Sequence, residues 1–286
     1  MHRPSRRALL GAGATFLASL AGCLGPVHEF GSTETTNTTT TTPTTETTES
    51  PTPSYDVDVN SISVVPELVA FDSPDSTSTV GDRDEQFVVA DVASADHYGP
   101  GFEEFELVYD GEVFHPVTGE ENGRYYRQWP RSGGKYTPGA SGTLVFRLPK
   151  PIESESVALG WPGGSYELDS NSVSKLTRPP AEFLVHGVSA ELRDDGLANV
   201  DVEIEVRNIS STAGTFVGAL DRVGPNVAYT PEEAVVFEVP AKDTATWSHT
   251  FELPLPASDE YSRASFILDW RRGSMGTVVD LREGES

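Results

Sequence analysis

The chain has 286 residues, room for about two ordinary domains, and its 37% hydrophobic content can fill packed cores but not a membrane bundle. Acidic residues number 44 against 20 Lys plus Arg. Three of those cations (Arg3, Arg6 and Arg7) and none of the acids lie in residues 1–22, so the rest of the chain sets 17 cations against 44 acids, a net charge of −27 that repels nucleic acid and anionic lipid and argues against both as partners.

The first element is an export signal. Ser5-Arg6-Arg7-Ala8-Leu9-Leu10 leads into a small-residue apolar run that ends at Leu20-Ala21-Gly22-Cys23. The run from Ala8 to Gly22 is 15 residues, shorter than the ~20 a spanning helix needs. Paired arginines before a short apolar region resemble a twin-arginine signal. Leu-Ala-Gly-Cys resembles the lipobox of bacterial and archaeal lipoproteins. The resemblance implies removal of residues 1–22 as a signal peptide and a lipid on Cys23. The protein is then expected outside the cell, anchored to the outer face of the cytoplasmic membrane. Cys23 is the only cysteine, so neither a disulfide framework nor a thiolate metal site can be built.

Residues 23–54 follow as the lipidated N-terminus and a stalk. Within it, residues 32–53 hold 13 Thr, 3 Pro, 3 Glu, 2 Ser and 1 Asn. No side chain there offsets the entropy of ordering, so this low-complexity linker is expected to be disordered and extended. Thr with Pro also reads as a glycosylated stalk. Asn37 and Asn208 open Asn-x-Ser/Thr sequons and are candidate glycosylation sites.

From Tyr55 onward, short β-branched and aromatic runs alternate with Gly, Pro and Asp, and no long amphipathic helix stands out. The clearest strand is Val200-Asp-Val-Glu-Ile-Glu-Val206, whose strict alternation predicts one buried and one solvated face. Further strands are expected at 55–65, 86–93, 103–109, 141–148, 155–161, 181–193, 215–220, 234–239, 244–253, 264–270 and 277–281. An internal repeat divides them. Thr143–Pro149 ends in Leu-Pro, Ala158–Trp161 ends in Trp, and Gly164-Ser165 opens a last strand. Trp247–Pro254, Ile267–Trp270 and Gly273-Ser274 repeat that order. The expectation is an all-β chain with two antiparallel β-sandwiches, at 55–176 and 180–286, joined at Arg178-Pro-Pro180 behind the stalk.

Asn199–Ser210 resembles the strand and Asn-x-Ser/Gly turn of immunoglobulin-like cell-surface domains. Phe87–Val92, Phe105–Gly111 and Gly142–Phe146 are similar to telokin-like Ig domains of prokaryotic lipoproteins. The resemblance implies an Ig-like fold, which supports many functions. High acid with only four lysines (Lys135, Lys150, Lys175 and Lys242) also resembles the proteins of salt-loving archaea. Self-repulsion of that size would be screened at ~1 M salt, where the Debye length is ~3 Å, and folding is expected to weaken in dilute buffer.

Catalytic motifs are not found. Gly164-Ser165 and Gly273-Ser274-Met-Gly276 lack the nucleophile-elbow pattern and read as hairpin turns. His28, His97, His115, His186 and His249 have no metal-ligand spacing. Asp82–Glu85 and Asp194-Asp195 are acidic turns without the spacing of a calcium loop. No cofactor or metal is therefore expected, nor an enzyme. One segment stands out for recognition. Arg124, Tyr125, Tyr126, Arg127, Trp129, Arg131, Lys135 and Tyr136 combine cations with aromatic rings. Such side chains anchor interfaces and would suit an acidic protein or a glycan. The alternative is a strand with inward rings and outward arginines. The reading is a lipid-anchored surface protein with a structural, adhesion or partner-binding role. The alternatives are a ligand-binding lipoprotein serving a transporter and an exported enzyme or electron carrier.

Overall fold

The computed structural model describes residues 53–95, 99–118, 123–130, 133–193, 199–254 and 262–282. Ser50–Ser286 make one compact unit. Its strands form two antiparallel sandwiches in tandem, each a three-stranded sheet facing a four-stranded one. In the first, β1 (Val57–Val65) is followed by an inserted hairpin of β2 (Leu68–Phe71) and β3 (Thr77–Val80). Next come β4 (Glu85–Ser94), β5 (Glu106–Tyr109), β6 (Glu112–Phe114), β7 (Ser141–Pro149), β8 (Ala158–Trp161) and β9 (Gly164–Glu167). The sheet orders are β1-β4-β7 and β6-β5-β8-β9. The second sandwich uses β10 (Phe183–Leu192), β11 (Asn199–Asn208), β12 (Gly214–Val223), β13 (Thr230–Val239), β14 (Thr244–Glu252), β15 (Arg263–Trp270) and β16 (Gly273–Asp280). Its orders are β10-β11-β14 and β13-β12-β15-β16.

With the β2–β3 insertion set aside, the two strand orders are the same, strand for strand. The repeated motifs therefore fall at equivalent places. Trp161 and Trp270 each end the penultimate strand, and each pairs across a two-residue turn with the glycine that opens the last one. A Cβ on Gly164 would lie 2.7 Å from the Trp161 ring, and one on Gly273 would lie 2.9 Å from the Trp270 ring. Only glycine lets the indole lie across the hairpin in this way. The sheet arrangement departs from the antibody constant type in one respect: the fourth strand of the sandwich pairs with the third rather than the fifth.

Each sandwich has its own core. In the first, Val88, Ala90, Val92, Leu144 and Phe146 of one sheet meet Leu107 and Leu159 of the other. In the second, Val200, Val202, Ile204 and Val206 are fully buried against Phe216, Leu220, Phe266 and Leu268. Glu203 and Glu205, between them, are exposed. The alternation read from residues 200–206 thus sets the face of β11.

Two features go beyond the strand pattern. Ser170–Thr177 form a helix, α1. It starts because the Asp169 side chain accepts the Asn171 and Ser172 N–H groups at 2.8 and 2.9 Å. It stays because Leu176 is buried in the first core. The β2–β3 hairpin covers the outer face of β4, where Phe87 and Val89 pack against Leu68, Tyr125 and Val145. The same hairpin reaches β12, where Val69 packs with Val217 and Ala219. Thr77 donates its N–H and its hydroxyl to the two oxygens of Asp221, at 2.9 and 2.6 Å. Both faces of β12 are therefore covered, and Phe216 to Arg222 are all buried.

Candidate functional site

The aromatic and cationic segment proves to be a structural prop. Val69 and Phe71 pair backbone to backbone with the chain at Arg127 and Trp129, so residues 127–129, which follow a short 3-10 turn at Gly123–Tyr126, run as an extra edge beside β2. Trp129 packs half-buried into the cluster between the hairpin and β12, and Phe71 meets it edge-on at 5.6 Å. Tyr125 is 4% exposed beneath the hairpin, and Tyr136 is 1% exposed in the first core, its hydroxyl donating to Ser94 Oγ at 3.0 Å. Burial raises the Tyr136 pKa, as it does that of Tyr126, whose hydroxyl donates to the Val117 carbonyl at 2.8 Å. Arg124 is half-buried and donates to Ser78 Oγ. Arg127 is exposed and donates to the Ser73 carbonyl at 3.2 Å. Lys135 is also exposed, with its Nζ 3.8 Å from the centre of the Phe102 ring. Tyr125 and Tyr136 are thus buried and Tyr126 and Trp129 half-buried over apolar sheet faces, which argues against a recognition surface continuous over 124–136, while Arg127 and Lys135 remain exposed. Arg131, like Arg6, Arg7, Cys23, His28, Asn37, His97, Asp194 and Asp195, lies outside the described residues.

The Asn208 expectation is also corrected. Asn208 shares the inward parity of Val200–Val206 and is fully buried. Its Nδ2 donates to the carbonyls of Thr212 (2.8 Å) and Val239 (3.1 Å), and its Oδ1 accepts the Ser210 N–H at 2.8 Å. The nitrogen a glycan would need is committed to holding the turn after β11. His186 and His249 sit exposed on strands, the first 3.0 Å from Glu205, the second beside Trp247 and Phe251.

Positive charge gathers elsewhere, at the joint of the two sandwiches. A cleft there is lined by Arg83, Lys150, Lys175, Arg178 and Arg271, with Glu67 as the one acid among its described lining residues. The cations come from five places: the turn before β4, the end of β7, α1, the linker, and the tip of the β15–β16 hairpin. Pro66, Pro179, Pro180 and Phe183 supply an apolar wall. The hairpin tip crosses between sandwiches. Arg271 pairs with Glu67 at 3.0 Å, and Arg272 reaches Glu182, which Arg83 meets at 2.8 Å. Arg178 pairs with Glu238 at 2.8 Å.

Electrostatics inside the cleft are strained in both directions. Glu67 is 7% exposed, and one of its oxygens has no hydrogen-bond partner. Burial pushes its pKa from the ordinary 4.5 up to about 7, although Arg271 opposes the shift. Lys150 is driven down to about 8, first by desolvation and then by the neighbouring Arg178 and Arg271 charges. Its Nζ donates to Gln86 Oε1 at 3.3 Å, and Gln86 is itself fully buried, donating to the carbonyls of Pro149 and Leu176 at 2.9 Å. Nothing local in the sequence announces this site. The traces it left are the continuous apolar run of β12, a sign of two-sided burial, and Arg178-Pro-Pro180 at the joint.

Fold and site together define an all-β tandem-sandwich protein with a cationic joint. No protein-family model matches the chain, and no curated protein matches it. Among solved structures, a GH2 β-galacturonidase from Eisenbergiella tayi is similar over 82% of this chain and 44% of its own, at 14% identity and a TM-score of 0.25. A β-glucuronidase 2 from Bacteroides uniformis is similar over 78% and 32%, at 11% identity and a TM-score of 0.24. The chain thus spans less than half the length of these enzymes, and likeness at this level carries no functional argument.

Proposed function

We propose that the protein is exported by a twin-arginine route, acylated at Cys23, and displayed at the cell surface as a non-catalytic module with a structural, adhesion or partner-binding role. The observation that carries the anchoring is the order of signals within residues 5–23: Arg6-Arg7, a 15-residue apolar run and Leu-Ala-Gly-Cys, in a chain with no other cysteine. A single acyl chain holds a protein only marginally at a membrane, so the lipid on Cys23 would bear two hydrocarbon chains. The joint between the sandwiches supports the display role. The Thr77–Asp221 contacts and the Arg271–Glu67 pair tie the two sandwiches into one body, able to stand as a unit beyond a Thr-rich spacer.

Cys23→Ser tests the anchor. The variant should leave the membrane fraction and appear in the medium, or remain as uncleaved precursor, while Arg6→Lys/Arg7→Lys should hold the chain in the cytoplasm. A Cys23→Ser protein that is cleaved normally and still sediments with membranes would remove the anchor from the reading.

A further inference from the structure

Of the 17 cations that follow residue 22, five line one small cleft. Three of them are matched: Arg83 with Glu182, Arg178 with Glu238, and Arg271 with Glu67. Lys150 and Lys175, two of the four lysines in the chain, have no carboxylate partner among the described residues, and both are half-buried. Half-buried ammonium groups that no carboxylate contacts, with only the non-contacting Glu238 offsetting the Arg178 and Arg271 charges around Lys150, are costly unless something anionic joins them. The cavity volume is about 30 Å³. A water needs roughly 10–15 Å³, so the space admits a compact charged group but not a sugar ring or a nucleotide.

We infer that the cleft between the sandwiches is a binding site for a compact oxyanion, a carboxylate or sulfate group, held by Lys150 and Lys175 with Arg271 beside them. The group enters alone or as the charged end of a larger molecule whose remainder stays in solvent along the Pro179-Pro180 wall. The site does not depend on anchoring. Glu67 does not oppose the ligand once protonated, because its free oxygen then becomes a donor. An anion in turn favours the charged form of Lys150 and the neutral form of Glu67, so binding takes up protons near pH 7–8 and tightens as pH falls. The charged groups around the pair are Arg83, Arg178, Glu182, Glu238, Arg271 and Arg272, and of the titratable groups in the cleft only Glu67 and Lys150 shift into that range.

Isothermal titration of the whole mature protein with sodium sulfate and with sodium acetate, at constant ionic strength, tests the site. One saturable site is expected, with tighter binding at pH 6.5 than at pH 8. Lys150→Met and Lys175→Met should each lose about tenfold in affinity, the loss typical of one charge-assisted hydrogen bond. Lys242→Met, the same charge change outside the cleft, should bind as the wild type does. Binding of acetate alone assigns a carboxylate site, and binding of both assigns a general oxyanion site. Sulfate should also raise the melting temperature of the wild type more than that of the Lys150→Met/Lys175→Met double variant, a readout that fails if the variant is merely misfolded. A linear, unsaturable heat would overturn the assignment. So would unchanged affinity in a folded double variant, or equal competition by chloride.

Discussion

Glu67→Gln isolates the energetics of the joint. Glu67 is buried with one oxygen unpartnered, and its pKa lies near 7 against an ordinary 4.5. Because the folded value is the higher one, the fold favours the protonated acid. That advantage is complete below about pH 4.5 and is lost as pH rises through about 7. A 2.5-unit difference corresponds to about 3 kcal/mol in full, of which about 2.5 kcal/mol falls between pH 5 and pH 8. Gln mimics the neutral acid and carries no such titration. Urea denaturation of the wild type and of Glu67→Gln at both pH values, at one fixed salt concentration, measures the effect. The difference between the two proteins should shift by about 2.5 kcal/mol in favour of Gln on going from pH 5 to pH 8. Comparing differences cancels the other carboxylates, which titrate alike in both. A difference that stays constant with pH would refute the reasoning, because Arg271 would then be compensating Glu67 in full. A Gln variant less stable at pH 8 than at pH 5, relative to wild type, would show the ionised pair to be a net stabiliser.

Val202→Asp places an unpaired charge between the sheets of the second sandwich, where Val202 is fully buried. It should cost roughly 3 kcal/mol or more, and a chemical melt of the variant as stable as the wild type would mean the strand face is assigned wrongly. Asn208→Ala removes three hydrogen bonds from a fully buried turn and should cost about 2–3 kcal/mol by the same assay. Mass spectrometry of the natural protein should find Asn208 without a glycan, and an occupied Asn208 would contradict its place in the fold.

What could be read locally was read from the chain. The four apolar residues of β11 announce their face because side chains on a strand point alternately to its two sides, a property of the backbone that needs no neighbour. Leu-Pro, Trp and Gly-Ser recur in order because each sandwich closes its last hairpin in the same way, with an indole lying over a glycine. β2, β3 and β6 match none of the expected strands: at three or four residues each they establish no period, whereas the equally short β5 and β8 lie within the longer runs at 103–109 and 155–161. Helix α1, at eight residues, offers little period for the same reason, and its clearest sign is the capping Asp169.

Tertiary structure decided where the charges and rings go. The segment 124–136 has the composition of a recognition surface, yet a ring is indifferent to whether ligand or protein covers it. Here the β2–β3 hairpin, β12 and the first core do so. Asn208 carries a sequon by sequence and a structural turn by position, and burial chooses between them. The cationic cleft had no local signature, because Arg83, Lys150, Lys175, Arg178 and Arg271 are spread over almost 190 residues of sequence. They meet only because two sandwiches of the same topology pack end to end through a hairpin tip and an inserted hairpin. Electrostatic energy depends on distance in space, and folding alone sets that distance for residues so far apart along the chain.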